Sequence, residues 1–164
     1  MDRRIPNMDE ISFRRLGPAD ADEVARLIRT AFAAQARLTR PPSSALRETA
    51  ETIAAKIAAG GGVGAFAGGA LVAAALWEDK GDALHVARVS VLPAWRGRGL
   101  AGSLIAACEE EAKRRRIERM TLKTRLELPE NERLFERCGF ARRELEAHEG
   151  FDKPTTVLME KRLA

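Results

Sequence analysis

Val89-Ser90-Val91-Leu92-Pro93-Ala94-Trp95-Arg96-Gly97-Arg98-Gly99-Leu100-Ala101-Gly102-Ser103 carries more information than any other stretch of the chain. An apolar alternating run ends at Pro93, and a turn rich in glycine and arginine then opens directly into an amphipathic segment. That order reads as a strand, a loop and the N-terminus of a helix. Glycines let backbone N–H groups approach a ligand closely, and a helix start offers unpaired donors with a partial positive charge. Arg96 and Arg98 add full charges. Such a turn suits a phosphate or pyrophosphate.

Two other phosphate loops compete for the same residues. Gly97, Gly99 and Gly102 spell G-x-G-x-x-G, the dinucleotide fingerprint. That turn normally follows its strand at once, near the start of several parallel strands. Here Pro93, Ala94, Trp95 and Arg96 intervene, and little more than a third of the chain remains. A Walker loop needs a Lys after the second glycine, and none follows. The plainest alternative is a glycine-rich connection whose arginines serve solubility.

The chain of 164 residues suggests one domain with a substantial core, and an apolar content of 45% with 32% charged residues fits a soluble globular protein. The longest apolar run, residues 70–77, is too short to span a bilayer, and no hydrophobic region follows the N-terminal arginines. Two cysteines, Cys108 and Cys138, lack metal-ligand spacing. The expectation is a cytoplasmic protein with reduced thiols and no metal. The net charge of +4 raises the question of nucleic acid. However, the basic run Lys113 to Arg116 follows Glu109, Glu110 and Glu111, which complements a helix dipole without a partner. Few aromatic residues, and no Tyr, leave little to stack on bases. Neither nucleic acid nor membrane is expected as a partner.

Residues 1–10 read as a flexible N-terminal extension, and 11–164 as a single domain. Ile11, Phe13 and Arg15 alternate as in a first strand. Pro18-Ala19-Asp20 starts a helix with Val24, Leu27, Ile28, Ala31 and Phe32 on one stripe. Ser43 or Ser44 caps a second helix whose apolar face is Leu46, Ala50, Ile53 and Ile57, and Gly60 to Gly64 break it. Residues 63–67 and 70–77 flank Gly68-Gly69 as a hairpin. A strand follows over 83–92, a helix over 99–116 and a strand over 120–126. A short helix over 129–138 closes at Gly139, and strands over 140–147 and 155–162 end the chain.

The turn resembles the acyl-CoA-binding motif of the GNAT N-acetyltransferases, Arg/Gln-x-x-Gly-x-Gly/Ala, met here by Arg96, Gly99 and Ala101. Leu134-Phe135-Glu136-Arg137-Cys138-Gly139-Phe140 is similar to the family's Leu-Tyr-x-x-x-Gly-Phe helix end. The order β-α-α-β-β-β-α-β-α-β-β matches too. The resemblance covers roughly 11–162 and implies an α/β fold of the α+β type: a mixed, mostly antiparallel sheet with helices on both faces.

The resemblance implies transfer of an acetyl group from acetyl-CoA to a primary amine. It places the pyrophosphate on the backbone of Arg96, Gly97, Arg98, Gly99, Leu100, Ala101, Gly102 and Ser103, with Arg96 and Arg98 as charge partners. It places the pantetheine on backbone groups of Val89, Ser90 and Val91, which as a strand run are equally readable as core. His85, eleven residues before Arg96, stands where several members carry a Glu or His base, and a pKa near neutrality suits that work. A half-buried structural histidine is the competing reading. His85 has the strand parity of Val89 and Val91, and Arg88 has the opposite parity. Phe135 fills the slot of the family's general-acid Tyr and cannot donate a proton. Leu128 fills a slot where Asn is frequent, and Asn131 is expected to contact CoA instead.

The acceptor groove of this fold would draw on Gln35, Arg37, Arg40, Arg125, Glu127, His148 and Asp152, a mixture that suits an amino acid or a peptide terminus. A small-molecule amine is the leading acceptor. A protein terminus or lysine, and a non-catalytic acyl-CoA-binding module, are the alternatives. The oligomeric state is read as monomer or homodimer.

Overall fold

The computed structural model describes residues 10–163, so the expected extension lies, apart from residue 10, outside the described residues. Among the described residues, seven strands form one sheet in the order β1-β2-β3-β4-β5-β7-β6. They are β1 (Ile11–Arg15), β2 (Gly61–Ala67), β3 (Ala70–Asp79), β4 (Leu84–Val91), β5 (Arg119–Arg125), β6 (Ala141–Glu146) and β7 (Thr156–Arg162). The helices are α1 (Ala21–Ala33), α2 (Ala50–Ala59), α3 (Leu100–Arg114) and α4 (Pro129–Arg137). Among these strands only β4 and β5 pair in parallel, through the crossover of α3, so the sheet is the mixed, mostly antiparallel one that the element order implies.

Two cores flank the sheet. On one face Leu100, Leu104, Ile105 and Cys108 of α3 pack on Val86, Met120, Leu122 and Met159, with Phe135 and Phe140 closing the α4 end. On the other, Val24, Leu27 and Ile28 of α1 and Ile53 and Ile57 of α2 pack on Phe66, Leu71, Ala74 and Leu76. The carboxylate of Glu111, buried in α3, is met by Arg15 of β1 and by Arg114 at 2.7 Å, tying an edge strand to the central helix.

The hairpin turn at Gly68-Gly69 has φ of 54° and 85°, the left-handed pair that a two-residue turn demands. Two local expectations need correction. Ser43 caps only a short 3-10 turn, Ser44–Arg47, by accepting from the Ala45 N–H at 3.2 Å. Helix α2 begins later, behind Thr49, which exchanges hydrogen bonds with Thr52 in a capping box, so Leu46 lies outside it. Helix α2 does end at the glycines, at Ala59 with Gly60 as its C-cap, and Gly61 to Gly64 already belong to β2. A Cβ on Gly62 would stand 2.8 Å from the Ala75 carbonyl, so close strand packing also requires glycine there.

Candidate active site

Strands β4 and β5 pair at Leu84–Met120 and His85–Thr121 and at no later residue. Past His85, β4 therefore has no strand partner on that side among the described residues, while the other edge of β5 stays paired with β7 from Arg119 to Arg125. The other edge of β4 is irregular. Leu76 stands opposite Ala87 and Ala74 opposite Ser90, so Ala75 faces both Arg88 and Val89. Arg88 has φ of 57°, a left-handed conformation that strains a non-glycine residue, and its carbonyl accepts from Ser90 Oγ at 2.9 Å.

The bulge overturns the parity reading. Cross-strand partners share a face. His85, Ala87 and Ser90 oppose Glu78, Leu76 and Ala74, and so face α1 and α2. Val89 and Val91 pack against the α3-side core instead. The guanidinium of Arg88 reaches Ser44 Oγ at 2.8 Å and lies 3.4 Å from Glu48, which puts it on the same side as His85.

After Leu92 a 3-10 turn, Pro93–Trp95, leads into the glycine turn, where Gly97 and Gly99 have φ of 77° and 76°. Gly99 is the N-cap of α3, with no side-chain cap, and the first backbone bond of the helix runs from the Ser103 N–H to the Gly99 carbonyl at 3.1 Å. A Cβ built on Gly97, Gly99 or Gly102 meets nothing within 4 Å. Open space thus stands before uncapped helix N–H groups, the geometry an anionic diphosphate requires. This cleft, of about 570 Å³, is lined by Val89, Ser90, Val91, Arg96, Gly97, Gly99, Leu100, Ala101 and Gly102, with Asn131 and Phe135 opposite.

Arg98 and Ser103 are not among its lining residues, and Arg98 stacks over Trp95 with 4.7 Å to the ring centroid. Arg96 lines the cleft, but its guanidinium donates to the carbonyls of Ala34 at 2.9 Å and Ala31 at 3.0 Å, where it caps the end of α1. The guanidinium expected to partner the pyrophosphate is thus engaged within the protein. Arg96→Ala should therefore lower stability by about 1 kcal/mol in chemical denaturation, chiefly through the freed end of α1.

A second cleft, of about 1010 Å³, opens on the α1–α2 side of the splay. Phe32, Gln35, Val89, Leu128, Asn131 and Phe135 line both clefts, so the two meet there. His85 lines the second, its Nδ1 2.9 Å from Thr121 Oγ1. Burial, with help from the charges of Lys123 and Lys80, pushes His85 below its ordinary pKa. It is neutral at pH 7, with a nitrogen able to accept a proton. Of the expected acceptor-groove residues, Gln35, Arg125 and His148 line this cleft. Arg37 is bound to Glu130 and to the Glu127 carbonyl, and the Glu127 carboxylate accepts from the Arg40 N–H at 3.0 Å. Asp152 is not among the lining residues.

The family model for the acetyltransferase (GNAT) family matches residues 25–140. The chain belongs to this family. No match was found among curated proteins. Among solved structures the chain is similar to the PaiA N-acetyltransferase of Thermoplasma acidophilum in complex with coenzyme A: 18% identity over 93% of this chain and 98% of that one, TM-score 0.75. It is also similar to the ribosomal-protein-S18-alanine N-acetyltransferase of Escherichia coli, at 16% identity over 94% of each chain and a TM-score of 0.75. YncA from Salmonella typhimurium, with its cofactor acetyl-CoA, gives 17% identity over 94% and 95% and a TM-score of 0.71. These identities establish a shared fold. As a GNAT protein, the chain is an acetyl-CoA-dependent acetyltransferase.

Within this GNAT enzyme Phe135 is buried, edge-on to Phe140 with centroids 6.4 Å apart, and no phenol exists anywhere in the chain. Glu48 escaped the sequence reading. It is buried in a loop and bonded to Lys56 at 2.6 Å and Thr52 at 3.1 Å. Burial pushes its carboxyl up, but Lys56 and Arg88 outweigh that and hold it below its ordinary value. The charged Glu48 fixes Arg88 at the bulge. Nothing local in Arg47-Glu48-Thr49 signals a buried carboxylate, because its partners come from α2 and β4.

Proposed function

We propose that the protein transfers the acetyl group of acetyl-CoA to the primary amine of a small acceptor. The observation that carries this reading is the meeting of two clefts at the splay of β4 and β5: one faces an uncapped helix start, the other holds a neutral histidine. Acetyl-CoA supplies the acyl group as a thioester. The backbone of Arg96 to Gly102 receives its diphosphate, and the unpaired edge of β4 at Val89, Ser90 and Val91 offers amide and carbonyl groups to the pantetheine. Asn131 and Phe135 bound the channel between the clefts. His85 takes the proton that the acceptor's ammonium must lose before its nitrogen can attack. Phe135 delivers no proton.

A thiol-release screen over small amines, amino acids and peptides tests the reading directly. Acetyl-CoA at a hundredfold excess over its Kd should add about 2.7 kcal/mol of stability, seen as a rise in Tm. NAD should add none. A shift with NAD and none with acetyl-CoA would overturn it.

A further inference from the structure

Arg125 ends β5 and Thr156 begins β7, and the two stand directly opposite in the antiparallel register. Cross-strand partners share a face, and both line the larger cleft. Arg125 Nη1 and Thr156 Oγ1 are both buried and, among the described residues, without a hydrogen-bond partner. The Glu127 carboxylate lies 3.7 Å from Arg125 Nη1, within ion-pair range but too far for a hydrogen bond, and its oxygens already accept the Arg40 N–H. Two adjacent orphaned groups, one a cation and one a hydroxyl, weigh against the stability of the free protein.

The other charges along this cleft are already matched. Glu146 pairs with Lys123 at 2.9 Å, Asp79 with Arg115 at 3.1 Å and Glu78 with Lys80 at 3.0 Å. Lys56 holds Glu48, and Arg88 holds Ser44 and Glu48. What Arg125 and Thr156 leave unused is hydrogen-bond donor capacity, one N–H of it on a cation. A polyamine or an aminoglycoside would bring further cations to a cleft that has no free carboxylate among these groups. A carboxylate would satisfy both orphans at once, since its two oxygens can accept from a guanidinium and a hydroxyl together.

We propose that Arg125 and Thr156 anchor a carboxylate of the acceptor, so that the substrates are small amino acids carrying a primary amine and a free carboxylate in one molecule. This rests on the acetyl-transfer reading above. Thr121, Lys123 and Arg125 alternate onto one face of β5, and Thr121 is bonded to His85. The anchor and the proton acceptor therefore share one wall of the cleft.

The test is a panel of α- and ω-amino acids beside their amides and decarboxylated amines, followed by thermal shift with and without CoA and by thiol release. The carboxylates should stabilise the protein and be acetylated, and their uncharged counterparts should do neither. Arg125→Met should raise the KM for the amino acid at least tenfold and leave the acetyl-CoA shift unchanged. Thr156→Val should weaken the acceptor severalfold while keeping or raising the Tm of the free protein, because it removes an unpaired buried hydroxyl. Equal use of amides or amines, activity confined to peptides, no response to any carboxylate, or an unchanged KM in Arg125→Met would each overturn the proposal. Loss of the acetyl-CoA shift in the parent protein would instead count against the acetyl-transfer reading, and the panel run without CoA still judges the anchor.

Discussion

Gly99→Val should abolish the stabilisation by acetyl-CoA while leaving a folded protein. Gly99 has φ of 76°, and a Cβ there would meet nothing of the protein within 4 Å. The substitution therefore costs backbone strain of about 1–3 kcal/mol, and no core clash follows. Its isopropyl group would project into the space before the α3 N–H groups, where a diphosphate must come within hydrogen-bond distance of the backbone. Losing that approach removes the whole shift of about 2.7 kcal/mol expected at a hundredfold excess of ligand. Gly102→Ala is the companion variant. Gly102 lies within helical α3 and has no positive φ, so Ala should stabilise the free protein by about 0.5–1 kcal/mol. Its acetyl-CoA shift should survive. Parallel Tm measurements on both proteins then separate a general intolerance of side chains at this turn from a requirement at Gly99.

The glycine turn was legible because its constraint is local: positive φ at Gly97 and Gly99 and at the Gly68-Gly69 hairpin can be read from residue type alone. The element order was legible for a similar reason, since apolar period and punctuation mark each strand and helix. The bulge in β4 was not, because Arg88 carries a left-handed φ that nothing in its residue type announces. Its support comes from Ser44 and Glu48, 44 and 40 positions earlier in the chain. A two-residue alternation carried through that bulge placed His85 with Val89 and Val91, on the wrong side of the sheet. Arg96 shows the same limit. Its motif position is readable, but the carbonyls of Ala31 and Ala34 that occupy its guanidinium belong to a helix end brought near only by the fold. Arg125 and Thr156 meet through strand register, which pairs residues 31 positions apart and leaves no mark in either local sequence.

His85→Gln should lower turnover by roughly 10²-fold or more and leave acetyl-CoA affinity unchanged, because positioned proton transfer contributes about 10²–10⁴-fold. Gln can keep a hydrogen bond to Thr121 Oγ1 and fill a similar space, yet it takes no proton at any working pH. Burial and the charges of Lys123 and Lys80 hold His85 below its ordinary pKa of 6.5. The acidic limb of the parent's pH–rate profile should therefore lie below 6.5, and the variant should lose it. Stability follows the same sign. A histidine whose folded pKa is depressed contributes stability above its unfolded value, and that contribution is lost as the pH falls through the folded value. Denaturation between pH 7 and 5 should accordingly show a shallower acid loss in His85→Gln than in the parent. A structural histidine would give that stability difference alone. Coincident loss of the acidic limb and of turnover, with the acetyl-CoA shift intact, is the result that assigns His85 the proton of the amine; unchanged kinetics would return it to a purely structural role.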